Sequence, residues 1–305
     1  MVAVSIVIPC RGHADVLARC LASVTTQAAA DFEVIVVDAG HDDAVLAAAQ
    51  TFPDVRVIRS DEPLVSGDAR NLGVDHARGR VIFFIDADCT ADRGWLTAGL
   101  TRLNHARIVS GAVEDGAPWH PIAVIDNLMQ FSHLPSDRPA GPIKSVASCN
   151  MAITRTDFEL LGGFPSIVPD AGGDGVFGIR ATEHWPDELW FEPAMRVRHF
   201  GRATLRTLAG HQHSFGQARA VLGLALKPIH LRLGRYAALA PAVGLTRLTY
   251  LVRCAARWHP LALVKMLLFS PILIFAMAAW CRGFRAGCRQ WAAAGDIEEK
   301  FDGRF

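Results

Sequence analysis

Val81-Ile82-Phe83-Phe84-Ile85-Asp86-Ala87-Asp88 is a run of five apolar residues that delivers two carboxylates at the point where it stops. A continuous apolar segment rich in β-branched and aromatic side chains reads as a strand buried on both faces. Side chains alternate along a strand, so Asp86 and Asp88 at i and i+2 point to one side if the extended conformation persists. Hard divalent cations such as Mg²⁺ take oxygen ligands and bind through one or two carboxylates plus the phosphates of a substrate. The competing reading is a polar turn after a strand, because Asp also favours turns and helix N-caps. Taken alone, an Asp-x-Asp does not decide between the two.

The flanking sequence repeats one pattern. Residues 3–8 form a strand candidate ending at Pro9, and residues 15–27 carry helical spacing through Val16, Leu17, Cys20, Leu21 and Val24. A second strand over 32–37 ends at Asp38-Ala39-Gly40, a helix covers 42–50, a third strand covers 55–58, and a helix over 67–77 precedes the Val81 strand. Alternation of this kind builds a Rossmann-like, mostly parallel sheet flanked by helices. In open α/β sheets ligands bind beyond the carboxyl ends of the strands, which is where Pro9, Asp38 and Asp86-Ala87-Asp88 all fall.

Further along, 143–154 contains a strand through Cys149-Asn150-Met151-Ala152-Ile153, and Thr156-Asp157-Phe158-Glu159 has capping-box spacing, which assigns Glu159 a structural role. After Gly162-Gly163-Phe164-Pro165, the stretch Pro169-Asp170-Ala171-Gly172-Gly173-Asp174-Gly175 lets the backbone turn tightly near a ligand. Residues 135–142 read as an exposed loop near the acceptor side, and 188–198 as a strand-like run leading to His199. His211-Gln212-His213 has no cysteine or acidic partner close in sequence, so a helix surface or acceptor contacts are expected there rather than a metal.

Five segments, Ser5-Ile6-Val7-Ile8-Pro9, Val36-Val37-Asp38, Ala69-Arg70-Asn71-Leu72-Gly73, Phe84-Ile85-Asp86-Ala87-Asp88 and Leu161-Gly162-Gly163-Phe164, occur in an order and spacing that resembles the family-2 glycosyltransferases with a GT-A fold. The resemblance spans roughly the first two hundred residues, and five motifs together are far more specific than any one. It implies an α/β GT-A fold and transfer of a single sugar from a nucleoside diphosphate donor, with inversion and a divalent metal, Mg²⁺ or Mn²⁺. By likeness, Asp38 holds the base or ribose, Pro9 lines the same pocket, Arg70 contacts the nucleotide, Asp86 the ribose or the metal's water shell, and Asp88 the metal. His199 stands where a histidine sometimes completes the metal shell. Where the resembling enzymes carry Glu-Asp, with the Asp as catalytic base, this chain has Gly173-Asp174. Asp174 is therefore the candidate base and Asp170 its competitor, with N-capping the alternative for both.

Without the motif, Arg70 would read as a surface arginine paired with Asp68 or Asp75. The missing Glu beside Asp174 keeps open a catalytically silent nucleotide-sugar-binding module that tethers a membrane assembly. A polyprenyl-phosphate sugar synthase is a further alternative, against which Pro9-Cys10-Arg11-Gly12 lacks the usual Asn-Glu. The Gln-x-x-Arg-Trp of processive synthases is also absent, since Gln217-Ala218-Arg219 does not supply it.

Charge divides the chain. The total is +1, yet residues 193–295 hold no Asp or Glu against thirteen Arg and two Lys, so that stretch is formally +15 and the rest −14. The break near residue 200 sets the expected domains: 1–200 for nucleotide-sugar binding and catalysis, 201–305 a basic, apolar, helical, membrane-associating region. Nucleic acid is not an expected partner, because reader motifs and aromatic interleaving are missing. The expected partners are the nucleotide-sugar donor, a glycan or lipid-linked acceptor of the cell envelope, and an anionic membrane surface.

Residues 261–281 are about long enough to cross a hydrocarbon core, and 236–252 form a shorter apolar stretch. Arg253, Arg257 and His259 between them make a poor translocated loop. Monotopic or peripheral placement at the cytoplasmic face is therefore favoured over spanning, with a buried soluble helix as the third reading. Met1 leads straight into the first strand without a signal peptide, so the nucleotide site is expected to face the cytosol. Seven scattered cysteines are expected to be reduced thiols.

Overall fold

The computed structural model describes residues 2–12, 14–28, 31–166, 171–225 and 237–293. The chain divides into two compact units, one of residues 1–117 with 134–200 and one of residues 118–133 with the chain from 201 onward. The second unit takes in residues 118–133 as well as the chain from 201 onward, so the two units do not coincide with one 1–200 block and one 201–305 block. The helix of 118–133 packs Ile125 and Met129 into the C-terminal core while also burying Asp126, a tertiary pairing that charge counting cannot register.

In chain order the elements are β1 (Val4–Cys10), α1 (Ala14–Thr25), β2 (Phe32–Asp38), α2 (Asp43–Gln50), β3 (Val55–Arg59), α3 (Ser66–Asp75), β4 (Val81–Ile85) and β5 (Cys89–Ala91). They continue with α4 (Trp95–Leu103), β6 (Ile108–Asp115), α5 (Pro121–Phe131), β7 (Gly141–Pro142), β8 (Asn150–Thr154), α6 (Arg155–Leu160), α7 (Gly173–His184) and β9 (Leu189–His199). The last are α8 (Leu205–Ala225), α9 (Ala240–Trp258), α10 (Pro260–Leu268) and α11 (Ser270–Ala293). All strands join one sheet in the order β3-β2-β1-β4-β8-β6-β9-β5, with β7 also on β9. β3, β2, β1 and β4 run parallel, while β8 is antiparallel to both β4 and β6. The first half is thus the expected parallel sheet and the second half is mixed.

Burial follows from the sequence pattern. Ile82, Phe83, Phe84 and Ile85 have no exposed surface, as a central strand requires. α1 buries Leu17, Cys20, Leu21 and Val24, the helical stripe read from spacing. Gly73 is required because a Cβ there would lie 2.4 Å from Val7 Cγ1, where α3 crosses β1. Opposite Gly111 and Ala112, β9 carries an irregularity between Glu192 and Arg196. It is held by Asn150, whose Nδ2 donates to Ala112 O and Met195 O at 2.8 Å while its Oδ1 accepts from Trp95 Nε1. Bulges re-aim a strand, and beyond this one β9 pairs with β5, setting His199 opposite Cys89.

Two local readings are corrected. The cap of α6 is Thr154, whose hydroxyl accepts from Asp157 N, rather than Thr156. Asp157 is buried against Arg107, and Glu159 lies 3.9 Å from Arg155 across one turn. With the cap at Thr154, Asp157 takes the position expected of Glu159, and Glu159 is left as an exposed side chain outside any capping box. In the second unit, His211 has an acidic partner after all. Its Nδ1 lies 3.0 Å from Oδ1 of Asp126, 85 residues earlier on α5. Asp126 is fully buried and also accepts from Gln212 Nε2 and Arg202 N–H. The second unit's core joins Ile125 and Met129 of α5 to Leu208 of α8, Leu251 of α9, Met266 of α10 and Leu273 of α11.

Candidate active site

β4 ends at Ile85, and Asp86-Ala87-Asp88 forms a turn in which Cys89 N–H donates to Asp86 O at 3.0 Å. The extended conformation therefore does not persist, so strand alternation does not set the direction of the two carboxylates. Both nevertheless line one pocket of about 150 Å³. Its other walls are Pro9, Cys10 and Arg11 at the end of β1, Ala39 after β2, Leu64, and Ser66 and Arg70 from the first turns of α3. The pocket sits at the carboxyl edge of β1 and β4, where the chain leaves β1 to either side of the sheet. Cys10, Arg11 and Ser66 were not singled out from sequence. Their signal was position alone, as the residues directly after Pro9 and at the start of a helix aimed at the crevice.

Arg70 forms an ion pair with Asp86, not with Asp68 or Asp75. Its Nη1 donates to Ser66 O, and its guanidinium lies 5.5 Å from the centre of the Phe164 ring. Only about 5% of its surface is exposed, and its Nε is buried without a hydrogen-bond partner. Two of the sequence motifs meet beside it. Asn71 Oδ1 accepts from Phe164 N–H at 2.9 Å and its Nδ2 donates to Phe164 O at 2.8 Å. Gly162 and Gly163 hold φ of +74° and +67°, values that favour glycine. At Gly163 a Cβ would also come within 2.8 Å of Asn71 Oδ1. The Asn71 and Gly-Gly-Phe motifs thus form the frame that presents Arg70 and Asp86.

Asp88 is partly exposed to the pocket, and its Oδ2 lies 3.5 Å from His199 Nε2. His199 itself is buried, delivered by the β5–β9 pairing and by Phe200 N–H donating to Asp88 O at 2.8 Å. Among the described residues no three His, Cys, Asp or Glu side chains form a ready metal cage. Carboxylate oxygens with one imidazole suit Mg²⁺ or Mn²⁺ that also draws on phosphate oxygens and water. Asp88 with His199 supplies a carboxylate and an imidazole of that kind, while Asp86 on the same pocket wall is engaged by Arg70. Cys10, on the same wall, is pushed up to about 12 by burial and then by the nearby Asp38 and Asp88. All seven cysteines are free, as expected.

Asp38, expected at the base or ribose, is not among the residues lining the pocket. It is fully buried, and its carboxylate accepts from Gly40 N–H, Asp42 N–H and Arg59 Nε, the last at 2.8 Å. It organises the turn after β2, while Ala39 supplies the pocket wall. Asp174 is the second residue of α7, which starts from Gly172 at φ +82°. Its surface is partly exposed, yet crowding of the carboxyl raises it above the usual aspartate range, with Asp86 adding to the rise. Arg70 and the N–H groups of Gly175 and Ser148 oppose it. These influences bring Asp174 into the neighbourhood of Arg70 and Asp86, although it does not line the pocket wall. Asp170 lies outside the described residues.

A pocket at the carboxyl edge of a Rossmann-like sheet, carrying an Asp-x-Asp with a neighbouring histidine, places the chain among α/β proteins that bind ligands at that edge. The sequence profile of Glycosyl transferase family 2 matches residues 5–159, just over half of the chain, and the chain belongs to that family. Glycosyltransferase AglE of Haloferax volcanii is 28% identical over 188 residues, which cover 59% of this chain and 61% of that protein. A PGL/p-HBAD biosynthesis glycosyltransferase of Mycobacterium bovis is 40% identical over 88 residues, covering 28% of this chain and 34% of its own length. The matches thus span between a third and three fifths of these relatives. Among solved structures, the mannosyltransferase PcManGT of Pyrobaculum calidifontis, in complex with GDP-Man and Mn²⁺, superposes with a TM-score of 0.61 at 18% identity. That superposition covers 96% of this chain and 87% of the other, and it establishes the shared GT-A fold.

Proposed function

We propose that this chain is an inverting, metal-dependent glycosyltransferase that moves a single sugar from a nucleoside diphosphate sugar to an acceptor hydroxyl, on a lipid-linked or membrane-proximal acceptor at the cytoplasmic face of the cell membrane. The observation that carries the reading is the convergence of Asp86, Asp88 and Arg70 on one pocket at the carboxyl edge of β1 and β4. PcManGT, similar in fold, binds GDP-Man and Mn²⁺, and the relatives named above are glycosyltransferases.

Asp88, with Asp86 and His199 nearby, would hold a divalent cation, which when bound would supply positive charge to the departing diphosphate. The remaining work falls to the chain's own side chains. Arg70, ion-paired to Asp86 and braced by Phe164, fixes the pocket wall against which the nucleotide lies. Asp174 acts as general base: it takes the proton of the acceptor hydroxyl as the acceptor oxygen bonds to the anomeric carbon and the carbon–phosphate-oxygen bond breaks toward the diphosphate. Attack from the face opposite the leaving group inverts the anomeric centre. A carboxyl raised above its ordinary range is a stronger base than a solvated one, which suits this role.

The silent-module alternative rests on Gly173 standing where a Glu is usual. A screen of UDP-, GDP- and dTDP-sugars by thermal shift, with Mn²⁺ and Mg²⁺, followed by a transfer assay with the best donor, separates the two. The expected result is metal-dependent stabilisation and measurable transfer. Tight donor binding with no transfer to any lipid-phosphate or glycan acceptor would favour the silent module instead.

A further inference from the structure

α10 and the first half of α11 are apolar apart from Lys265 and Ser270, and only part of that surface is used inside the protein. Their inner residues Ala262, Met266, Leu273 and Ala276 pack into the core shared with α5, α8 and α9. The outer face carries Leu261, Val264, Leu267, Leu268, Ile274 and Phe275, which are exposed, the four leucine and valine positions by 61 to 77%. On α10 the exposed positions 261, 264, 267 and 268 recur at the helical repeat and share one side of that helix, and the first turns of α11 expose Ile274 and Phe275 in addition. A monomer seldom leaves so many apolar side chains in water.

The charges around it identify what covers it. Asp126 is the sole acidic residue among the described residues of this unit, and it is fully buried. Arg253 and Arg257, on α9 just ahead of α10, and Arg282, Arg285 and Arg289, on α11 beyond the apolar stretch, are all exposed. An apolar face bordered by arginines, with no exposed carboxylate in between, complements an anionic lipid surface. A second copy of the same unit would set like charges against each other.

Length and bend favour insertion from one side over a straight crossing. No single described helix is long and apolar enough to cross a membrane, and α10 and α11 together pass only as a pair bent by 87°. Nine residues of α10 give about 14 Å, roughly half of a hydrocarbon core of about 30 Å. Since the inner face of the pair is already occupied by protein, lipid can reach only the outer one.

We propose that the outer face of the bent α10–α11 pair is a monotopic membrane-insertion surface, seated in one leaflet of an anionic bilayer with the flanking arginines among the headgroups. The inference rests on the reading above that the acceptor lies at a membrane, and it names the surface that brings the chain there.

The test is sedimentation of the full chain with vesicles of phosphatidylcholine alone and of phosphatidylcholine mixed with phosphatidylglycerol. Wild-type protein should bind the mixed vesicles much more strongly than the neutral ones. Leu267→Glu combined with Leu268→Glu should weaken that binding by roughly tenfold or more, because two aliphatic side chains leave the membrane. Leu160→Glu, an equally exposed leucine on α6, should bind as wild type. Unchanged vesicle binding by the double variant would overturn the proposal. So would a wild-type dimer, found by analytical ultracentrifugation without lipid, that the double variant converts to monomer, since a second copy would then cover this face. Equal binding to the two vesicle types would overturn the assignment of the arginines to headgroups. Donor-dependent thermal stabilisation, measured on the same proteins, should not change in the double variant. A chain that binds vesicles as described but no nucleotide sugar would overturn the functional reading and leave this one standing.

Discussion

Asp88 and Asp126 are both aspartates beside a histidine, 3.5 Å from His199 Nε2 in the α/β unit and 3.0 Å from His211 Nδ1 in the helical unit. Their surroundings separate them. Asp126 has no exposed surface and is held by Gln212 and by Arg202 as well as by the histidine. Asp88 stands at the end of a central strand, partly open to a pocket that also holds Asp86 and Arg70. A carboxylate saturated by its own protein stabilises a fold, whereas one presented at a strand end can still exchange water or phosphate for a ligand. Asp38, at a strand end but saturated by Gly40, Asp42 and Arg59, belongs with Asp126.

Substitutions sharpen that contrast. Asp174→Asn should lower turnover by about 10²–10⁴-fold, the usual contribution of a general base, with donor binding and thermal stability little changed. Initial rates at saturating donor check this, and undiminished turnover would move the base elsewhere. The pH profile of the wild type should show an acid limb above the ordinary aspartate value of about 3.9. Burial raises the Asp174 pKa, so the active carboxylate form accumulates only as pH rises through that higher value.

Asp126→Ala should lower stability by about 1–3 kcal/mol for each buried partner it leaves unsatisfied. It leaves Gln212 and His211 facing a void, and urea unfolding measures the loss. Asp88→Ala should leave the unfolding midpoint nearly unaltered. A large stability loss at Asp88 with none at Asp126 would reverse the assignment of the two pairs.

The smallest effect is expected at Glu33, far from the pocket. Burial raises its pKa, but hydrogen bonds from Ser5, Arg78 N–H and Arg56 outweigh burial and leave it below the usual glutamate range. A group whose pKa is depressed by folding contributes stability above its unfolded pKa, about 4.3, and loses it as pH falls through the lower folded value. Unfolding midpoints of the wild type should therefore decline across that acid window more steeply than those of Glu33→Gln.

Elements governed by local pattern could be read from the residues themselves. The apolar run 81–85, the helical stripe of α1 and the alternation of strands and helices to residue 85 all follow from periodicity. Features that need distant partners could not. Asp126 meets His211 across 85 residues, Asn71 grips Phe164 across 93, and Arg59 claims Asp38 across 21. Segment 118–133 joins the C-terminal helices by packing Ile125 and Met129 into their core, although its charge resembles that of its neighbours. At the site, sequence named Asp86, Asp88, Arg70 and Pro9 as pocket residues. It assigned Asp38 by motif position, which carries no information about whether a carboxylate's lone pairs are already used.

The central claim is that Asp88 holds a divalent cation that the donor's phosphates share. Titrating the best nucleotide sugar against wild type and Asp88→Asn by calorimetry, with and without Mn²⁺, tests it directly. Mn²⁺ should tighten donor binding to the wild type by about tenfold or more, as a shared charge-neutralising ligand does, and should have no such effect on Asp88→Asn. Donor binding that gains equally from Mn²⁺ in both proteins would contradict the account.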